Sequence, residues 1–249
     1  MATDPLISVK DLNYSAENNN ILINISFDIY RGDFVGIIGP NGAGKSTLIK
    51  TLIREIEDYT GEIKINGKIG YVPQSEEKER DFPIKVYEVA LMGLYSEVGP
   101  FKRFKEEHYE KVRETLKLLQ IDHLYNRLVG KLSGGEYRRL MMARALVSDP
   151  DILILDEPEA NIDKEGQNIL YRTLRDLKHD RNMSIILISH DLNMIFKETN
   201  KIMCMNKTLH CHKNTADLDI NDLRTLYSKD FELFIHVNEK MKVVSNKDD

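Results

Sequence analysis

The sequence predicts an α/β fold: a largely parallel sheet flanked by helices, an antiparallel β portion and an inserted helical subdomain. Three observations carry this. Short apolar runs alternate with segments of helical periodicity. One of those runs, Phe34–Ile38, leads into a glycine-rich loop directly before a helix. A long stretch rich in charge, about 85–128, interrupts the strands and has little strand character of its own.

Taken in order, Ile7 and Val9, then Ile21, Ile23, Ile25 and Phe27, alternate as half-buried strands do, with Asn18, Asn19 and Asn20 supplying the turn between them. After Phe34–Ile38, a helix is expected from near Lys45 through Leu48, Leu52 and Ile56, ended by Gly61. Glu62–Ile65 and Lys68–Val72 read as a hairpin around Asn66-Gly67, a strong turn signal. Val112, Leu116 and Leu119 fall on one helical face. Strands resume at Asp151–Leu155 and Ser184–Ile188, with a helix carrying Leu170, Leu174 and Leu177 between them. Ile202–Met205 and Thr208–Cys211 suggest another hairpin, and Phe231–Val244 a terminal one turning at Asn238-Glu239. The expected organisation is a single domain over 1–249, with a helical subdomain at about 85–147 and a tail or hairpin at about 229–249.

Composition narrows the function classes. The chain has 249 residues, 41% hydrophobic and 30% charged, which suits a packed domain rather than a disordered segment. Its net charge of −5 argues against wholesale nucleic-acid binding. The apolar runs stop far short of the ~20 residues that a membrane span needs. The opening residues lack a basic flank and an apolar core, so no signal peptide is expected. Two cysteines, Cys204 and Cys211, make no disulfide framework and suit a reducing compartment.

Gly39-Pro40-Asn41-Gly42-Ala43-Gly44-Lys45-Ser46-Thr47 matches the phosphate-loop pattern G-x-x-x-x-G-K-[ST] in full, between an apolar strand and a helix as the motif requires. The glycines let backbone N–H groups converge on phosphate oxygens, and the helix N-terminus adds about half a positive charge. Lys45 brings a full charge to the β/γ-phosphates, and the Ser46 hydroxyl is suited to Mg²⁺. ATP and Mg²⁺ are therefore the expected ligands. The strand Ile152–Leu155 delivers Asp156 and Glu157 at its carboxyl end, where ligands of open α/β sheets bind. Asp156 is expected to hold Mg²⁺, and Glu157 to polarise the attacking water as general base. Ser189-His190-Asp191 follows another apolar strand, and His190 is placed to contact the γ-phosphate and orient Glu157 or the water.

Leu132-Ser133-Gly134-Gly135-Glu136 is a second helix start, with a capping serine and two exposed amides. One ATP needs a single phosphate loop, so a second anion site suggests the ATP of another subunit. The order of these motifs, with Gln74 in Tyr71-Val72-Pro73-Gln74 and Asp163 after the acidic pair, resembles the ATP-binding-cassette (ABC) ATPases over nearly the whole chain. The resemblance implies a phosphate-loop NTPase core whose two copies pair head to tail. Ser133, Gly134, Gly135 and Glu136 would then meet the partner's ATP. It also implies that Gln74 joins Ser46 and Asp156 at Mg²⁺ and that Asp163 lies in a dimer-interface loop. Two departures stand out: Glu136 where Gln is commoner, and Glu159-Ala160-Asn161-Ile162 before Asp163. Tyr14 is the aromatic nearest to the expected adenine-stacking position, with core packing as the equal alternative.

Two further clusters have plain structural explanations. Phe101-Lys102-Arg103-Phe104-Lys105 interleaves aromatics with bases, but Glu106-Glu107 follows at once, which favours a solvated helix end over a nucleic-acid contact. His210-Cys211-His212 cannot all ligate one metal from a single strand, because neighbours point to opposite faces.

Within the family, the likeness is to zinc/manganese-type importer ATPases. It rests on Val89–Tyr95 with Gly99-Pro100-Phe101, and on Cys204–Lys207 leading into Leu209–His212. The resemblance then implies separate permease subunits, docked near Gln74 and 85–92, an external solute-binding protein, and a peripheral place on the cytoplasmic face of the inner membrane. An iron-chelate or other solute importer is the alternative, followed by a soluble ABC ATPase and a non-catalytic ATP sensor.

Overall fold

The computed structural model describes residues 4–74, 83–99, 101–160, 162, 164–218, 222, 223 and 226. The chain forms two compact units, interleaved in sequence: Met1–Ser8, Asp28–Asp33 and Lys64–Ile186 make the first, and Val9–Phe27, Phe34–Ile63 and Leu187–Asp249 the second.

The second unit contains most of β1 (Ile7–Ala16), β2 (Asn19–Ile29) and β4 (Thr60–Ile65), ordered β2-β1-β4 in one sheet. Glu17 and Asn18, both with positive φ, form the β1–β2 turn, one residue earlier than the asparagine run suggests. The same unit holds β3 (Phe34–Ile38), β8 (Lys201–Asn206) and β9 (Thr208–Asn214), ordered β3-β8-β9. All five residues of β3 are buried, which explains its unbroken apolar run. β3 runs parallel to β8, with Ile38 opposite Cys204, and β8 and β9 form the expected hairpin. The same unit carries helices α1 (Lys45–Leu52) and α7 (Leu192–Glu198) and a 3₁₀ turn at Thr215–Asp217.

The first unit holds β5 (Ile69–Val72), β6 (Ile152–Asp156) and the start, up to Ile186, of β7 (Ser184–Ile188), ordered β5-β6-β7. β5 and β6 are parallel, with Ile69 opposite Ile152 and Val72 opposite Leu155. Its α-helices are α2 (Val86–Met92), α3 (Tyr95–Val98), α4 (Glu106–Leu118), α5 (Gly134–Leu146) and α6 (Lys164–Arg181). Val112, Leu116 and Leu119 are buried, as their spacing predicts.

Three expectations are corrected. β4 and β5 do not form a hairpin: they belong to different sheets. Gly67 lacks the positive φ that an Asn-Gly hairpin turn requires, and long-range partners decide the path instead. The Asn66 N–H donates to Leu6 O at 2.8 Å, and the Lys68 N–H to Asp151 Oδ2 at 3.0 Å. The helix after the phosphate loop stops at Leu52, because Arg54 turns left-handed with φ 63°. Gly61 lies inside β4, where a Cβ would come within 2.5 Å of the Asp11 carbonyl oxygen. Finally, Cys204 and Cys211 are joined by a disulfide. They face each other across the β8–β9 pair with Cα atoms 4.9 Å apart, a proximity created by strand register and invisible in composition. The terminal hairpin expected at Phe231–Val244 lies outside the described residues.

Candidate functional site

In the second unit, the phosphate loop runs from the end of β3 to the start of α1. Gly39 and Gly44 are there for want of a side chain: a Cβ would stand 2.0 Å from Met205 O at Gly39 and 2.8 Å from Ile21 O at Gly44. Gly44, with φ 91°, is the N-cap of α1, and no side chain caps that end. The first-turn amides and positive end of α1 thus lie directly after the loop. Lys45 is buried, its Nζ donating to Gly39 O at 2.7 Å and to Pro40 O at 3.0 Å. The Lys207 N–H, at the tip of the β8–β9 hairpin, braces the loop by donating to Ala43 O at 2.9 Å. A loop closed to Cβ atoms at Gly39 and Gly44, an uncapped helix start and a lysine ammonium suit a polyphosphate, so the residues fit ATP.

In the first unit, β6 ends in Asp156, which is buried, followed by Glu157. Glu157 has φ 47°, left-handed backbone that an ordinary residue adopts only under constraint. Gln74 Nε2 donates to Glu157 Oε2 at 2.6 Å, so two expected site residues 83 apart in sequence meet. Asp156, a buried hard-oxygen donor, is suited to Mg²⁺.

Sequence reasoning missed Arg138. It lies on α5, is 2% exposed, and donates from Nη1 to Pro73 O at 2.9 Å and from Nη2 to Glu157 O at 3.2 Å. Burial pulls its guanidinium below the usual value, against the opposing influence of Glu159, Tyr137, Asp156 and Glu157. The available signal was an arginine set among the residues that α5 buries, Tyr137, Leu140, Met141 and Met142.

The signature residues start α5 with a reciprocal capping box. The Glu136 N–H donates to Ser133 Oγ at 3.3 Å, and the Ser133 N–H to Glu136 Oε2 at 2.7 Å. The bond from the Ser133 backbone, foremost, holds the Glu136 carboxyl below the usual carboxylate range. The glutamate that departs from the family's commoner glutamine thus serves as a cap.

His190 is exposed in the second unit, at the end of β7 and just before α7, whose N-cap Asp191 accepts from the Met194 N–H at 3.1 Å. Tyr14 is half-buried on β1. Asp163 lies outside the described residues. Phe101, in the basic-aromatic cluster, is fully exposed. Among the described residues, no group of three or more His, Cys, Asp or Glu side chains could hold a metal ion.

A model of the ABC transporter family matches residues 22–160. A protein of Thermotoga maritima, named a probable metal transport system ATP-binding protein, is 46% identical over 92% of this chain and 93% of its own length. The zinc import ATP-binding protein of Hydrogenovibrio crunogenus is 35% identical over 85% of this chain and 83% of its own. The manganese transport system ATP-binding protein of Halalkalibacterium halodurans is also 35% identical, over 86% and 88%. Among solved structures, one described as an inward-facing ABC transporter of metal-chelate type superposes with a TM-score of 0.83 at 29% identity, covering 90% of this chain and 89% of that one. The chain therefore belongs to the ABC transporter family, as an ATP-binding, ATP-hydrolysing member.

Proposed function

We propose that this chain energises a membrane importer of a divalent metal ion, zinc or manganese. The carrying observation is the likeness over most of its length to ATP-binding proteins of metal, zinc and manganese transport systems. The ATPase never touches the ion, so the cargo is inferred from relatives and not from a binding site here. A metal chelate is the second reading, favoured by the structural neighbour of metal-chelate type.

In this reading the residues Gly39 to Thr47 bind the triphosphate, and Tyr14 lies against the adenine. Lys45 offsets phosphate charge as bonds to the leaving group stretch. Ser46, Gln74 and Asp156 are the residues that would hold Mg²⁺, and the ion would supply neutralisation of phosphate charge. Glu157 takes a proton from the attacking water, and Gln74 orients the carboxylate through its 2.6 Å hydrogen bond. His190 contacts the γ-phosphate. A second copy supplies Ser133, Gly134, Gly135 and Glu136 to the bound ATP, with Asp163 in the dimer interface. The permease docks near Gln74 and Lys85 to Met92, and a solute-binding protein delivers the ion. The subunit is peripheral, at the cytoplasmic face of the membrane; no helix among the described residues is long and apolar enough to cross one.

Deleting the gene and measuring cellular zinc, manganese and iron under metal limitation tests the cargo. A shortfall of zinc or manganese is expected. Normal levels of both, with a deficit in a chelated metal or another solute, overturn the metal-ion assignment and leave the ATPase intact.

A further inference from the structure

Arg138 has no role in the reading above, yet its placement is costly. Burying a guanidinium is unfavourable unless it is hydrogen-bonded and balanced by nearby charge. Here both conditions are met at one spot. Its two terminal nitrogens reach Pro73 O and Glu157 O, carbonyls from chain positions 84 residues apart. Those carbonyls are not arbitrary. Pro73 immediately precedes Gln74, and Glu157 is the residue that Gln74 contacts at 2.6 Å. One side chain therefore holds the backbone behind both members of the Gln74–Glu157 pair. It also grips the carbonyl of the residue with left-handed φ of 47°, a conformation that needs outside constraint to persist. The side chain comes from α5, the helix headed by Ser133, so the pair is tied to the signature helix as well.

We infer that Arg138 is a positioning residue for ATP hydrolysis: from the signature helix, it fixes the Pro73 and Glu157 carbonyls and so sets the Gln74 amide against the Glu157 carboxylate. Displacing α5 would move this contact, which gives the signature helix a direct route to the residue that activates water. The inference rests on the reading of Glu157 as general base.

The test uses the full-length chain and steady-state phosphate release, with nucleotide affinity measured separately. Wild type must hydrolyse ATP and Glu157→Gln must not; an unimpaired Glu157→Gln would refute the general-base reading itself, whatever Arg138 does. Given that baseline, Arg138→Met keeps length and apolar packing but removes both hydrogen bonds. The expected result is a kcat lowered by about 10- to 100-fold, the scale of a small misplacement of a reacting group. KM and nucleotide affinity should stay within about twofold, since uniform binding is untouched. Arg138→Lys, with charge but no fork, should recover part of the rate. Combined with Gln74→Ala, Arg138→Met should add little, because both substitutions break the same pair. Wild-type kcat in folded Arg138→Met, a loss confined to KM, or effects that multiply with Gln74→Ala would each overturn the inference. If Arg138→Met does not fold, Arg138→Lys decides alone: a lowered kcat at unchanged KM supports the role, and an unchanged kcat refutes it.

Discussion

Gln74 and Glu157 form a direct hydrogen bond, Nε2 to Oε2, at 2.6 Å. Gln74 follows the end of β5 and Glu157 follows the end of β6, and the parallel register that sets Val72 opposite Leu155 brings the two together. A neutral amide that donates to a carboxylate orients it without neutralising it, which suits the role of proton acceptor proposed for Glu157.

Glu157→Gln preserves this geometry, since a glutamine oxygen can accept from Gln74 as the carboxylate does. It removes only the basicity. Phosphate release should fall by about 10²–10⁴-fold while ATP affinity is retained. Hydrolysis at the wild-type rate would remove Glu157 from the role of base.

Lys45→Ala deletes a buried ammonium that donates to Gly39 O and Pro40 O. In the proposed site it would also remove charge-assisted bonds to phosphate worth about 1.5–3 kcal/mol. ATP affinity by calorimetry should drop by roughly 10- to 150-fold, at about 1.4 kcal/mol per tenfold. Unchanged affinity would exclude the loop as the phosphate site.

Substitution of Ser133 and Gly135 should spare ATP binding by the single chain and prevent ATP-driven pairing in analytical sedimentation. Mixing that variant with a phosphate-loop variant should restore one competent site in two. A chain that stays monomeric with ATP yet hydrolyses it at full rate would count against a shared site.

Acid stability should report Asp151. Its carboxylate accepts from Arg31 Nη2 at 2.6 Å and from the Lys68 N–H at 3.0 Å, and these bonds hold it below the usual carboxylate range. A depressed folded-state value means that the unfolded chain takes up the proton first as pH falls. The stabilisation is therefore present at neutral pH and is lost as the medium passes below the ordinary aspartate range of about 4. Asp151→Asn should lower the melting temperature at pH 7 and narrow the gap to wild type in acid. A gap that is constant with pH would mean that the charge contributes nothing.

The sequence by itself determined the parts of the site that are contiguous. Gly39–Thr47 is legible because its glycines, lysine and serine act through their own backbone and through the helix that starts at Lys45. Asp156 and Glu157 are legible as candidates because the apolar run of a buried strand stops there, at the carboxyl end where open α/β sheets bind ligands. The Ser133–Glu136 cap is likewise local, its two partners three positions apart. Tertiary structure alone decided the rest. Asn66-Gly67 carries a hairpin signal, but Leu6 and Asp151 offer its neighbours better partners and send β4 and β5 to different sheets. Cys204 and Cys211 are bonded because the β8–β9 register sets them opposite each other. Arg138 reads as one of two adjacent arginines until α5 packs it beneath Pro73 and Glu157. Local signals survive in a sequence because the atoms that satisfy them are covalent neighbours. A buried charge or a strand partner is chosen by whichever distant group the fold brings within about 3 Å, and no window of sequence contains that choice.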